Sequence, residues 1–297
     1  MSLNVCVLGP KAAREEFCHS LAKKGSSDDF TFYNTSVQGK VIHLLEPTAY
    51  PEKIDAAIDA LALSEFVVFI VNEVTAEFGE QVVLLDAMRP PAENCVVVTD
   101  LDIAPYVKGT ALEGWKAVTP EEAKRLIMEE WVVAPRDGEP IVLVDHSFDV
   151  KGVGGVLLGV VRQGRVAVHD TLLANPLGSE LEVRSIQKND VDEKEAFSSD
   201  RLGIAMKGLT AKEVRRGMVL TKTPLPSVTE LAATITYSKF AAKDAKMMHA
   251  FHCLQSAPCR LEAGKLVFEK PLALVKGEPF VLCDLNRKMR VVGSVSF

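Results

Sequence analysis

Gly9 follows a short apolar run (Val5, Val7, Leu8) and precedes a helical pattern carrying Ala13, Phe17 and Leu21. A phosphate-binding loop, G-x-x-x-x-G-K-[ST], would sit at this place: its glycines let backbone amides cradle phosphates, its lysine reaches them and its hydroxyl holds magnesium. Here the second glycine is Arg14, the lysine is Glu15 and the hydroxyl is Glu16. Two carboxylates would face a triphosphate. A lysine about 4 Å from a phosphate charge gains about 4 kcal/mol at an effective dielectric of about 20, and an acid there loses a similar amount. Each 1.4 kcal/mol or so is tenfold in affinity, so ordinary tight nucleotide binding is not expected. Lys11 or Arg14 could stand in for the lost lysine, but neither restores a metal site. The plainer alternative is a β-α unit that never held a phosphate.

The elements that would position these residues follow from periodicity. Residues 1–135 alternate apolar strand runs (Val5–Leu8, Phe30–Tyr33, Val41–Leu45, Phe66–Val71, Cys95–Thr99) with helical patterns (Ala12–Lys24, Glu52–Leu63, Phe78–Met88, Pro120–Met128). Apolar strands separated by helices predict a parallel sheet covered on both faces. A linker around Ala134-Pro135-Arg136-Asp137-Gly138 opens a second segment, 136–223. Its short strands are Ile141–Asp145, Gly155–Val161, Arg165–Leu173, Leu181–Gln187, Arg201–Met206 and Met218–Thr221, with a hairpin turn expected at Arg162-Gln163-Gly164-Arg165. Six short strands without a long helix predict a closed barrel, which removes exposed edges. After Thr223-Pro224-Leu225-Pro226, residues 224–297 read as a second barrel.

Composition bounds what this arrangement can be. With 297 residues, 47% hydrophobic and 25% charged, the chain has room for two or three globular domains. No apolar run reaches membrane-spanning length and no secretory leader is visible at the start, so a cytoplasmic protein with no membrane partner is expected. Six scattered cysteines read as reduced thiols and not as a disulfide framework. The net charge of −6 is asymmetric: residues 1–135 carry 11 Lys+Arg against 21 Asp+Glu, and residues 136–297 carry 23 against 19. The front half would repel nucleic acid, while the rear half would tolerate it.

The second segment carries a resemblance. The run His146-Ser147-Phe148-Asp149-Val150-Lys151-Gly152-Val153-Gly154-Gly155-Val156, then Gly159 and Gly164, Val183-Arg184-Ser185-Ile186-Gln187, Asp200–Leu209 and Arg216-Gly217-Met218-Val219-Leu220, resembles the second domain of the EF-Tu family of elongation factors, in the style of the selenocysteine-specific factor SelB and its archaeal relatives. Met248–Pro258 is similar to the third domain of that subfamily. The resemblance implies a fold of one GTPase-like α/β domain (1–135) and two β-barrels (136–223 and 224–297). It covers most of the chain, without the fourth domain that SelB-type factors carry.

The family implies a GTPase in the first segment, and its remaining motifs are altered too. The γ-phosphate sensor Asp-x-x-Gly falls at Glu46-Pro47-Thr48-Ala49, and the water-positioning histidine that follows is Tyr50. The guanine-reading Asn-Lys-x-Asp falls at Thr99-Asp100-Leu101-Asp102. The residues that normally support phosphoryl transfer are therefore missing. The expectation is a pseudo-GTPase, with no catalytic residue and no cofactor, GTP and Mg²⁺ entering only if the pocket has been rearranged.

In the family the second domain holds the aminoacylated 3′ end of tRNA. By that resemblance Gln187 would stack on the terminal base, and Val150, Gly152, Val156 and Ala205 would form the pocket wall. An unstacked base does need a flat platform and close backbone approach. Arg184, Lys207, Arg215 and Arg216 could meet RNA phosphates; equally, these side chains could simply build the barrel and its solvated surface. His249, His252, Cys253 and Cys259 do not have a usual zinc spacing, and His252 would point away from the face shared by His249 and Cys253, so no metal site is expected. Three functions remain: a binder of tRNA or another translation component, the ribosome or a factor included, without a GTP cycle; a working GTPase; or a protein-interaction scaffold using the acidic front half.

Overall fold

The computed structural model describes residues 2–241, 245 and 247–297, and contacts divide the chain into two compact units. The first takes in Met1–Val133, Thr234–Met248 and Pro279–Ser296; the second takes in Ala134–Ala233, His249–Glu278 and Phe297.

In the first unit the order is β1 (Ser2–Leu8), α1 (Lys11–Leu21), β2 (Lys23–Ser27), β3 (Thr31–Val37), β4 (Lys40–Glu46), α2 (Ile54–Ala62), β5 (Phe66–Ile70), α3 (Ala76–Met88), β6 (Cys95–Val98), α4 (Ala104–Val107), β7 (Lys116–Val118) and α5 (Pro120–Arg125). The sheet runs β2-β3-β4-β1-β5-β6-β7. Strands β1, β5 and β6 are buried along their whole length, as their continuous Val-, Leu- and Phe-rich sequences require between two covering layers.

The sheet is mixed, which corrects the expectation of a parallel one. Strands β4, β1, β5, β6 and β7 are parallel, but β3 is antiparallel to β4 and β2 to β3. The reason lies in Gln38-Gly39, a two-residue link with φ 51° and 79°. So short a link can only close an antiparallel hairpin, because parallel neighbours need a crossover. Strand β2 occupies what reads in sequence as the end of the first helix and the loop after it. The last predicted helix, Pro120–Met128, is helical throughout but changes type: a π turn at Leu126–Glu130 continues α5, and Lys40 Nζ caps it by donating to the carbonyls of Ile127 (2.8 Å) and Trp131 (3.2 Å).

In the second unit, β8 (Ile141–Val150), β9 (Gly154–Gln163), β10 (Arg165–Ala167), β11 (Thr171–Asn175), β12 (Ser179–Lys188), β13 (Val191–Glu193), β14 (Glu195–Phe197), β15 (Arg201–Lys207) and β16 (Val219–Thr221) follow. Six of them pair as β11-β16-β8-β9-β15-β12, and β12 returns to β11, so the barrel is closed. Alternate residues such as Val142, Val144, Leu157, Val183, Ile204 and Leu220 fill it. Two expectations are corrected. Arg162–Arg165 is not a hairpin, because β10 beyond it pairs with β14 and not with β9. The single strand expected over Arg165–Leu173 is two strands, β10 and β11.

A bulge between Val144 and His146 turns Asp145 inward, where it is fully buried against Arg201 (3.3 Å) and His146 Nδ1 (2.9 Å). Burial alone would raise its carboxyl; the Arg201 guanidinium and His146 outweigh that and hold it below the ordinary carboxylate value. Such a group contributes stability present above the unfolded-state value of about 3.9 and lost as pH falls through its folded value. Asp145→Asn is therefore expected to lower the melting temperature at neutral pH, with a deficit that shrinks below about pH 4, as read by thermal melts across a pH series.

The strands of the last segment are β17 (Ser227–Ala232), β18 (Thr234–Tyr237), β19 (Met248–His252), β20 (Gln255–Glu262), β21 (Lys265–Ala273), β22 (Phe280–Cys283) and β23 (Val291–Ser296). Within the second unit β21 pairs with β17 and β20; within the first, β23 pairs with β18 and β22. They make a half-barrel, in keeping with the second barrel expected over this segment.

Candidate functional site

Only Gly9 and Pro10 separate β1 from α1. Residues 11–14, which a phosphate loop would spread around its ligand, are already helical: the Arg14 amide donates to the Pro10 carbonyl at 3.0 Å. Gly9 has φ 128°, and a Cβ there would lie 2.3 Å from the Ile70 carbonyl oxygen, so the sharp exit from β1 requires glycine.

Arg14 is the largest fully buried side chain among the described residues. Its Nε donates to Glu46 Oε1 (3.0 Å), one terminal nitrogen to the Gly9 carbonyl (2.6 Å), and the other to the carbonyls of Pro47 and Tyr50 (3.0 Å each). Glu46 is 1% exposed, and its second oxygen accepts from Thr48 Oγ1 at 2.6 Å. One guanidinium thus ties the end of β1 to the turn after β4, the two places where the sequence motifs converge. Lys11 and Glu16 are exposed and Glu15 is half-buried.

The Ala49 amide donates to the Asp29 carbonyl at 2.8 Å. Tyr50 is buried; its hydroxyl donates to Glu80 Oε2 (3.1 Å), and the guanidiniums of Arg14 and Arg290 each lie 5.8 Å from its ring centroid. Burial, with the Glu80 carboxylate beside it, holds the phenol well above its ordinary value. Arg290 closes the cluster: its backbone N–H (3.1 Å) and Nε (2.9 Å) both donate to Glu80 Oε1. Glu80, Gln81 and Arg290 are site residues that sequence reading missed, although a charged Glu80 one turn before the apolar Val83 and Leu84 of α3 was a visible signal, since a buried acid needs a partner.

At the end of β6, Thr99 Oγ1 donates to the Val71 carbonyl (2.8 Å) and accepts from Leu101 N (3.0 Å), and Asp102 Oδ1 accepts from Ala104 N (3.1 Å). Asp100 is exposed. Asp102 and Thr99 thus shape their own turn.

On the barrel, register brings part of the predicted pocket together. Phe148, Val156, Ala205 and Ser185 are successive cross-strand partners in one row, and Leu158, Gly203 and Gln187 form the next. Gln187 is exposed and donates to Asp192 Oδ1 at 2.8 Å. Val150 and Gly152 lie beyond, at the exposed β8–β9 turn. Phe148, 44% exposed, stands directly opposite Val156 and was missed. The alternation His146, Phe148, Val150 was its signal. Of the cations, Arg184 sits at the β12 bulge and donates to the Val153 carbonyl (2.9 Å), Lys207 pairs with Glu182 (3.0 Å), Arg215 is exposed and Arg216 is half-buried.

His252 Nε2 accepts from Val275 N at 2.9 Å, and Cys253 and Cys259 are buried free thiols, with burial pushing Cys259 up to about 12. Among the described residues no group of three or more His, Cys, Asp or Glu is placed to hold a metal ion. No helix among them is long and apolar enough to cross a membrane.

No protein-family model matches the chain. MJ0325, an uncharacterized protein of Methanocaldococcus jannaschii, is 32% identical over 286 residues, covering 92% of this chain and 93% of its own. The selenocysteine-specific elongation factor of the same organism is 26% identical over 228 residues, 67% of this chain but only 48% of that factor, so the matched part spans about half its length. The crystal structure of translation elongation factor SelB from Methanococcus maripaludis, in complex with the GTP analogue GPPNHP, superposes with TM-score 0.81 at 21% identity over 99% of this chain and 79% of that one. An α/β domain followed by a closed six-stranded barrel and a half-barrel is the architecture of EF-Tu-like translation factors. Within that class the chain belongs to one family with MJ0325 and is an archaeal SelB-like member of the EF-Tu family.

Proposed function

We propose that this translation-factor-like protein binds the aminoacylated 3′ end of a tRNA on its barrel face, without a GTP cycle, the first domain serving as a body fixed in one state. The observation that carries this reading is Arg14. Four hydrogen bonds from one buried guanidinium tie the residue at the phosphate-loop position to Glu46, Pro47 and Tyr50, at and beside the γ-phosphate-sensor positions. The residues present do not fit a magnesium-bound triphosphate: the loop is two residues long, Glu15 and Glu16 replace the cation and the hydroxyl, and the Ala49 amide is already committed to Asp29. In nucleotide-switched relatives a bound phosphate holds mobile segments in place. Here internal side chains perform that tethering permanently.

The barrel keeps what RNA recognition needs: an exposed aromatic, small residues two strands away in the same two rows (Ala205, Gly203) and a polar side chain at the edge (Gln187). A terminal base stacked on Phe148 would be worth about 1–3 kcal/mol, or roughly 5- to 150-fold in affinity. Binding of aminoacylated and deacylated tRNA to the nucleotide-free protein, measured across a salt series, tests this. Preference for the aminoacylated form, weakened roughly 5-fold or more by Phe148→Ala and less by Gln187→Ala, is expected. No binding even at low salt would reject the reading and leave a scaffold whose partner meets the acidic first domain.

A further inference from the structure

The barrel face that carries Phe148 also carries an imidazole. His146 and Phe148 alternate on one side of β8, and register places His146 at the head of the row Leu158, Gly203 and Gln187, next to the row that Phe148 begins. Two residues along a strand span about 7 Å, roughly the reach from a base stacked on Phe148 to an ester on its ribose.

The state of that ring is set from beneath it. His146 Nδ1 lies 2.9 Å from Asp145 Oδ1, and the other carboxylate oxygen accepts from Arg201 Nε (3.4 Å) and one of its terminal nitrogens (3.3 Å). Asp145 is fully buried and held below the ordinary carboxylate value, so it is ionised and can only accept. A neutral His146 therefore carries its proton on Nδ1 and its lone pair on Nε2. The histidine side chain is 28% exposed, so water reaches the ring. A buried carboxylate that fixes the tautomer of an accessible imidazole is the arrangement of a general base.

We propose that His146 is the general base of an ester hydrolysis that releases the amino acid from an aminoacylated tRNA held on this face. The inference rests on the tRNA reading above and adds a reaction to it. Nε2 takes a proton from a water molecule as the water oxygen bonds to the ester carbonyl carbon. The bond from that carbon to the ribose oxygen then breaks, and the imidazolium passes the proton to the departing oxygen. Water is the one co-reactant, and free amino acid and deacylated tRNA are the products. Asp145 is a positioning residue: it acts through the ring and meets no substrate.

The experiment incubates excess full-length chain with total tRNA charged with a mixture of labelled amino acids and follows their release. Binding is measured separately with the same tRNA ending in 3′-amino-3′-deoxyadenosine, which holds the amino acid by an amide and resists hydrolysis. Release at saturating protein at least about 100-fold faster than from free tRNA is expected, the usual scale of general-base catalysis. His146→Gln should return release to the uncatalysed rate while still binding the amide analogue. Asp145→Asn should slow release at saturating protein about tenfold or more, with the half-saturating concentration little changed, because an amide no longer fixes the tautomer. A pH series on the unaltered chain does not depend on any variant folding. The charged groups of the cluster are Asp145 and Arg201, and the protein-dependent rate should level off once the imidazole is neutral, whereas hydroxide attack on the free ester keeps climbing. Analogue binding with release no faster than from free tRNA overturns the hydrolysis and leaves the binding reading standing. So does release unchanged by His146→Gln, or a protein-dependent rate that climbs with pH throughout. Failure to bind the analogue even at low salt overturns both.

Discussion

Arg14→Met is expected to lower the unfolding free energy by about 3–5 kcal/mol, the loss that follows when one partner of a buried ion pair is removed. Methionine fills much of the arginine's volume, so the effect is electrostatic and not a cavity. It leaves Glu46 buried without its cation, together with three carbonyls (Gly9, Pro47 and Tyr50) that each lose one donor. Arg14→Lys should recover only part of the loss, because a single ammonium cannot present the planar fork that reaches four acceptors in different directions. Adding Glu46→Gln to Arg14→Met removes the stranded charge, and the pair should be less destabilised than the sum of the single changes by about 0.5–3 kcal/mol. Urea denaturation of the four variants measures each term. A loss below about 1 kcal/mol for Arg14→Met would mean that water reaches the site, and that Arg14 does not hold the ends of β1 and β4 together.

Much of this fold was legible because its signals are local. The apolar runs of β1 (Val5–Leu8), β5 and β6 could only be buried strands, and glycine-punctuated short strands announced the barrel. What failed was set by a few backbone torsions or by partners far along the chain. Gln38-Gly39 lacks the Asn-Gly or Asp-Gly signature of a two-residue hairpin, so β3 and β4 read as members of a parallel series. Strand β10 has only three residues, and its partner β14 lies some thirty residues away. The site divides in the same manner. Glu15, Glu16 and Ala49 were legible as losses, because a motif names what should stand there. The gain that accompanies them was not: Arg14 appeared only as a missing glycine. Its role depends on Glu46, Pro47 and Tyr50, over thirty residues away, and Tyr50 in turn depends on Glu80 and Arg290.

That distinction between lost letters and changed geometry can be measured. Glu15→Lys with Glu16→Thr restores the lysine and the hydroxyl of the phosphate-loop pattern while leaving Arg14 in place, and both positions are outside the core, so the variant should fold. By charge alone the exchange at position 15 returns several kcal/mol, since about 4 kcal/mol of repulsion becomes attraction of similar size. If charge were the whole defect, Mg-GTP affinity should rise by three or more powers of ten, at about 1.4 kcal/mol for each. The structure leads to the opposite expectation. A phosphate loop binds mainly through backbone amides arranged around the phosphates, and here the chain turns from β1 into α1 after two residues. The amide of residue 14, which a loop would aim at a phosphate, is consumed by the Pro10 carbonyl, and Arg14 holds the neighbouring carbonyls inward. The double variant is therefore expected to show no saturable Mg-GTP binding up to about 1 mM in a fluorescent-analogue titration with competition by unlabelled GTP. Affinity tighter than about 10 µM would show that the two-residue link can open around a triphosphate, and that the wild-type chain is separated from nucleotide binding by two side chains alone.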